Sequence, residues 1–124
     1  MTQEEKRIKL AESAGWTIIN DFIAPDLNGI GKTIGNAKIP PGRLLSEMDW
    51  FEQADLFNNE LPDYFNDLNA VHELEEELDD SQKMLYVAKL SQILSPSKFP
   101  QSFRILHATA EQRCEALGLT LNLW

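Results

Sequence analysis

Four groups of residues in this chain have types and spacings that could do chemistry. Gly29-Ile30-Gly31-Lys32-Thr33 carries the Gly-Lys-Thr core of a phosphate loop. That motif needs an earlier glycine where Asp26 stands, and a helix must follow so that its N-terminus faces the phosphates. Gly35 and Pro40-Pro41 follow instead, so the segment is read as a flexible turn. His72-Glu73-Leu74-Glu75-Glu76 begins like a zinc-protease helix, but Glu76 replaces the second histidine. A single His-Glu pair, even if His107 joined it, falls short of a catalytic zinc site. Cys114, the one cysteine, sits at an apolar helical position and is read as a buried structural thiol. It excludes an intrachain disulfide and a thiolate-rich zinc site.

The fourth group is acidic. Between Glu47 and Asp80 lie 13 acidic residues and no Lys or Arg, within a net charge of −9 for the whole chain. The rest of the chain is net basic, with 7 acidic against 11 basic residues. Carboxylates that work as acid and base need environments that split their pKa values, and a row of glutamates on one helix offers a single environment. The run has no EF-hand spacing and no glycine to turn a calcium loop. No catalytic residue, no metal site and no cofactor is predicted. The acidic run reads either as a solvated face that aids solubility or as a surface made for a basic partner.

Regular elements must position these residues. Thr2-Gln3-Glu4-Glu5 has the form of a capping box, and Gly15 closes a first helix over about 3–14. Trp16–Ile23 is β-branched and aromatic and reads as a strand apolar on both faces; a short strand near Lys32–Lys38 pairs with it. Leu44–Phe57 holds enough apolar residues for a short helix or a functional loop. Tyr64, Leu68, Val71, Leu74 and Leu78 make one face of a second helix over about 62–78. Glu73, Glu76 and Glu77 then fall on the opposite face. A third helix runs over about 81–94 with Met84, Leu85, Val87, Ala88 and Leu94 inward. Ser95–Pro100 reads as a loop and Phe103–His107 as a short strand. Thr109-Ala110-Glu111-Gln112 is a second capping box, opening a last helix that Gly118 stops. The tail Leu119–Trp124 is too apolar to stay in water and must pack.

These elements predict an α+β fold, a small β-sheet with helices packed on both faces. The length of 124 residues fits one domain over 1–124, and 43% apolar residues suffice for a core. No apolar run is long enough to span a membrane, and the charged start lacks a secretory signal, so a soluble cytoplasmic protein is expected.

Leu61–Glu73, the stretch Leu106–Ala116 leading to Trp124, and the first helix with Gly15-Trp16 resemble the phage ABA sandwich domain family of small phage and prophage proteins. The likeness covers about three quarters of the chain and is thin across 24–60. It implies a sheet sandwiched between helices, a phage origin and hence the cytoplasm of a bacterial host, and no known activity. The positions it shares are Asp67, Asn69, His72, Glu73, Thr109, Gln112 and Arg113, all explicable by structural duty.

Three functional expectations follow. In the first, a non-enzymatic phage accessory protein binds a basic host protein, such as a defence or DNA-binding protein, by imitating nucleic acid charge. Glu73, Glu76, Glu77, Asp79 and Asp80 would make the contact, with Trp50 and Phe51 as its apolar anchors, although aromatics of an irregular segment read first as core residues. Direct binding to nucleic acid is excluded by like charge. In the second, a small-ligand protein sequesters a nucleotide through Lys32, Thr33, Lys38 and Arg43. In the third, a phage structural or scaffolding protein self-associates into a homo-oligomer through its apolar tail.

Overall fold

A computed structural model of the chain describes residues 1–25, 31–94 and 101–124. In chain order it holds α1 (Gln3–Ser13), β1 (Thr17–Pro25), β2 (Lys32–Ile39), a 3-10 turn (Leu45–Glu47), α2 (Trp50–Asp55), α3 (Leu68–Glu76), α4 (Asp80–Ile93), α5 (Gln101–Leu106) and α6 (Ala110–Thr120). The class is α+β, with one two-stranded sheet among the described residues. Gly29 and Ile30 of the glycine-rich segment, and the loop expected over Ser95–Pro100, lie outside the described residues. The chain divides into two compact units, a sheet unit of Ala11–Leu61 and a helical unit of Met1–Leu10 with Pro62–Trp124.

The sheet unit opens on a helix stop. Gly15 has φ +101, and its N–H donates to the Glu12 carbonyl while Trp16 N–H donates to the Ala11 carbonyl. This is a Schellman ending, and the missing Cβ of glycine makes it inexpensive. β1 and β2 then pair antiparallel, with Ile19 opposite Ala37 and Phe22 opposite Gly35. β1 thus carries one residue more than β2 between these pairs. Asp21, at φ 55, absorbs it as a bulge. The bulge brings Ile19, Phe22 and Ala24 to one face. There Ile19 and Phe22 pack with Ala37, Ile39, Met48, Leu56 and Leu45. The Phe22 and Phe57 rings meet at 5.9 Å, and Gly35 leaves the room that Phe57 needs. The expected burial of β1 on both faces is corrected: Ile23 and its partner Ile34 are 56% and 65% exposed. α2 packs on β1 and fills the stretch where a short helix was expected. Asp49 caps it by accepting from Glu52 N–H.

The helical unit is set by its caps. Thr2 and Glu5 exchange the two hydrogen bonds of a capping box at the start of α1. Asp79 does the same with Gln82 at α4, and Thr109 with Gln112 at α6. α3 is shorter than the helix expected over 62–78. The Tyr64 carbonyl, which would accept a helical bond, instead accepts from the Cys114 thiol at 3.1 Å. Asp63 closes a turn onto Asn66 and Asp67, and Asp67 caps the real helix. Tyr64, Val71, Leu74 and Leu78 are buried as their spacing requires, but Leu68 is exposed.

Two further expectations are corrected. α4 buries Tyr86, Leu90 and Leu94. Of its expected inward residues, Met84, Leu85, Val87 and Ala88 are exposed. α4 has apolar residues on more than one face, so helical spacing alone did not choose between them; packing on α6 and α5 does. The strand expected over Phe103–His107 is the helix α5, a short apolar run being ambiguous between the two periods.

Gly118 does not stop α6. The helix runs to Thr120 and ends on Asn122, at φ 58, with Leu123 N–H donating to the Gly118 carbonyl at 2.8 Å. Glycine at 118 serves packing, because a Cβ there would collide with the Trp124 ring. That ring is held by Trp124 Nε1 donating to Glu115 and by the Lys6 ammonium 5.2 Å from its centroid. Lys6 also pairs with Glu115 at 2.7 Å, so the tail is anchored at Trp124 with Leu121 and Leu123 half-buried, while Leu119 is 41% exposed.

Gly118→Ala tests this account, because propensity and packing oppose each other. Helix propensity alone would stabilise the variant by about 1 kcal/mol. The collision with Trp124 is expected to reverse the sign, to a net loss of about 1–3 kcal/mol in urea unfolding. In a Trp124→Ala background the same change should stabilise. A stabilising effect in both backgrounds would remove the packing role.

Candidate functional site

The acidic residues of the helical unit gather where α3 ends and α4 begins. Glu73, Glu76 and Glu77 close α3, and Asp79 and Asp80 open α4. All five are exposed. Asp79 and Asp80 sit where the positive end of the α4 dipole favours them. Glu76 and Glu77 sit at the negative end of α3, which has no basic residue in its last turn, so they cost that helix a few tenths of a kcal/mol. Among the described residues none of the five carboxylates is in an ion pair.

Glu75 behaves differently. Its side chain is 18% exposed, and it pairs with Arg113 at 3.1 Å and His72 Nδ1 at 2.7 Å. Arg113, on the first turn of α6, is buried. Its remaining donors go to the carbonyls of Ala108 at 3.2 Å and Ile105 at 2.8 Å. The nearest basic residues in sequence after the acidic segment are Lys83 and Lys89, and neither is in an ion pair with it among the described residues. The cation that reaches it is Arg113, which the sequence reading placed only among structural positions.

Between α3 and α4 lies a groove of about 390 Å³, lined by His72, Glu75, Glu76, Lys83, Tyr86 and Val87. Tyr86 is 5% exposed, and its buried hydroxyl lies against the Glu75 carboxylate and the Arg113 guanidinium. Burial pushes its pKa up, with the neighbouring Glu75 carboxylate adding to the rise and Arg113 opposing it. Sequence reasoning missed Tyr86, Val87 and Lys83 as lining residues, because they come from a helix whose inward face it misassigned.

The other expected residues are placed as follows. Phe51, on α2 of the sheet unit, is 52% exposed, so it is not a core residue. Trp50 is the first residue of α2, and its side chain lies outside the described residues. Lys32 and Lys38 stand toward opposite ends of β2, about 20 Å apart by strand rise. Arg43 is engaged by Glu52 at 2.6 Å, so these basic residues form no common cradle. His72 is hydrogen-bonded to Glu75 and His107 lies past α5; among the described residues no three His, Cys, Asp or Glu side chains gather to hold a metal. Cys114 is fully buried, and burial pushes its thiol up to about 12. Tyr64 is likewise raised to about 12, first by burial and then by Glu73 and Glu77.

No family model matches the chain, and neither a curated protein nor a solved structure does. The functional argument rests on the site itself.

Two predictions follow. Arg113→Ala removes the guanidinium from the part-buried Glu75 and frees the Ile105 and Ala108 carbonyls it caps, and should lower the unfolding free energy by about 2–3 kcal/mol, whereas Glu76→Gln should change it by less than about 0.5 kcal/mol. Equal effects in urea unfolding would contradict the division between Glu75 and its neighbours. The second concerns alkaline pH. Cys114 and Tyr64 are raised above their ordinary values of 9.0 and 10.0. The folded chain therefore keeps protons that the unfolded chain releases. Their contribution is fully present below about pH 9 and is lost as pH climbs toward 12. Urea midpoints measured across that window should fall, and less steeply in Cys114→Ala. A slope unchanged by that substitution would show that the thiol is not protected by burial.

Proposed function

We propose that this chain is a non-enzymatic phage accessory protein that binds a basic protein through the acidic face at the α3–α4 turn. The observation that carries the reading is the set of five exposed carboxylates, Glu73, Glu76, Glu77, Asp79 and Asp80, with no ion pair among the described residues. Such a face presents the charge that a groove lined with Lys and Arg meets on a phosphate backbone. It steers that groove onto the protein by long-range attraction. The target is a host defence or DNA-binding protein, whose nucleic acid site the acidic face occupies. The cost that Glu76 and Glu77 impose on the end of α3 supports use of the face, because a helix end built for stability alone would carry cations there.

The test is capture from a bacterial lysate at about 50 mM and about 400 mM salt, with the wild-type chain and with the Glu76→Lys, Glu77→Lys, Asp80→Lys triple variant. The triple variant should fold with unchanged or slightly raised thermal stability, since repulsion between the acids is relieved. Partners held by the wild-type chain at low salt should be lost at high salt, lost by the variant, and displaced by added duplex DNA. Partners retained by the triple variant at high salt would sink the proposal.

A further inference from the structure

α4 carries apolar residues on two faces. Tyr86, Leu90 and Leu94 turn into the helical unit, while Met84, Leu85, Val87 and Ala88 are exposed. At 3.6 residues per turn, Ser81, Met84, Leu85, Ala88 and Gln92 share the face opposite Tyr86 and Leu90. All five are exposed, Met84 at 77%, and none is charged. The charged residues of the helix, Asp80, Lys83 and Lys89, fall outside this face. Other helices expose charge: α1 shows Glu4, Glu5, Lys9 and Glu12 to solvent, and α3 shows His72, Glu73 and Glu76. A helix that is apolar on opposite sides is suited to being covered on both.

We propose that this face packs against the same face of a second copy of the chain, the two α4 helices running antiparallel about a two-fold axis level with residue 86. Shape and charge both select that occupant. In this register Met84 lies opposite Ala88 of the second copy, and Ala88 opposite its Met84. Each long side chain then enters the space over a small one, in both directions at once, as an isologous contact requires. Leu85 meets its own counterpart beside the axis. Lys83 and Lys89 come level with each other but point away from the seam. The antiparallel direction sets the acidic α3–α4 turns at opposite ends of the pair, about 20 Å apart along α4, well beyond the ~8 Å over which salt screens charge. A parallel pair would bring Glu76, Glu77, Asp79 and Asp80 of both copies side by side and set Met84 against Met84. A basic partner finds no carboxylate on the uncharged face, so this surface is separate from the acidic one. One helix of this length covers less than the ~800 Å² per partner of a typical stable complex, so the dimer is reversible and forms with rising concentration.

Sedimentation equilibrium of the full chain, from about 5 µM to about 1 mM, should show monomer passing to dimer. Met84→Lys and Ala88→Glu each place an unpaired charge in the seam, and each alone should weaken the dimer about tenfold or more. Both positions are exposed in the single chain, so the urea midpoint of the dilute monomer should stay unchanged. An equimolar mixture of the two variants should dimerise again, because position 84 of one copy faces position 88 of the other and the lysine meets the glutamate. A monomer at the highest concentration would overturn the proposal, and so would a dimer indifferent to both substitutions, whose contact would lie on another surface such as the apolar tail. Weakening by each variant without recovery in the mixture would overturn the antiparallel register.

Discussion

A guanidinium taken out of water must be met by acceptors on every side, and the helical unit is arranged around that demand at Arg113. The residue is buried and spends its donors on the Ile105 and Ala108 carbonyls and on Glu75. Two consequences follow. The turn between α5 and α6 must present those carbonyls to the guanidinium, the Ile105 carbonyl accepting from Ala108 N–H as well as from Arg113. α3 must also present Glu75 inward, which sets its rotation. The Thr109–Gln112 capping box fixes where α6 begins, and so puts Arg113 on its first turn beneath those carbonyls. A buried pair of this kind is weak evidence for stability in itself, since its formation costs desolvation. Its consequence is specificity: few other arrangements of these helices would satisfy the same charge.

That rotation sorts the acidic segment. With Glu75 turned in and Leu74 and Leu78 in the core, Glu73, Glu76 and Glu77 have only the outside left. Asp79 is held by its cap and Asp80 by the first turn of α4. Glu75 is therefore committed to an ion pair and Asp79 to its helix cap, while Glu73, Glu76, Glu77 and Asp80 make no ion pair among the described residues. The two classes differ in partners rather than in residue type, which is why composition alone left the acidic run open between a solubilising surface and a binding surface.

The groove depends on the same pairing from the other side. Tyr86 is buried among Glu75 and Arg113, and its neighbours Val87, Lys83 and Met84 are therefore turned to solvent. Had α4 buried Met84, Leu85, Val87 and Ala88, it would present no apolar surface beside the acids. The exposed methionine and valine are thus the counterpart of a buried tyrosine.

Much of the local structure was legible in the residues because its causes are local. The capping boxes at Thr2 and Thr109 and the left-handed glycine at 15 follow from interactions spanning a few positions, and β1 pairs with β2, the next element in the chain. The same holds for the exposure of the acids around Glu76, which the spacing of Leu74 and Leu78 already implies. The misreadings fall where two local answers are nearly equal and a distant residue decides. Tyr64 leaves the helix because Cys114 takes its carbonyl; α4 turns Tyr86 inward because α6 packs there; Gly118 stays helical because Trp124 needs its empty side. For Tyr64 and Tyr86 the deciding partner lies outside the short windows from which periodicity is read, whereas Trp124 lies near Gly118 in sequence and decides by ring packing, which periodicity does not carry. Caps, turns and charge distribution were therefore determined by the sequence itself. The choice of buried face, and with it the groove beside the acids, was decided only when the helices packed.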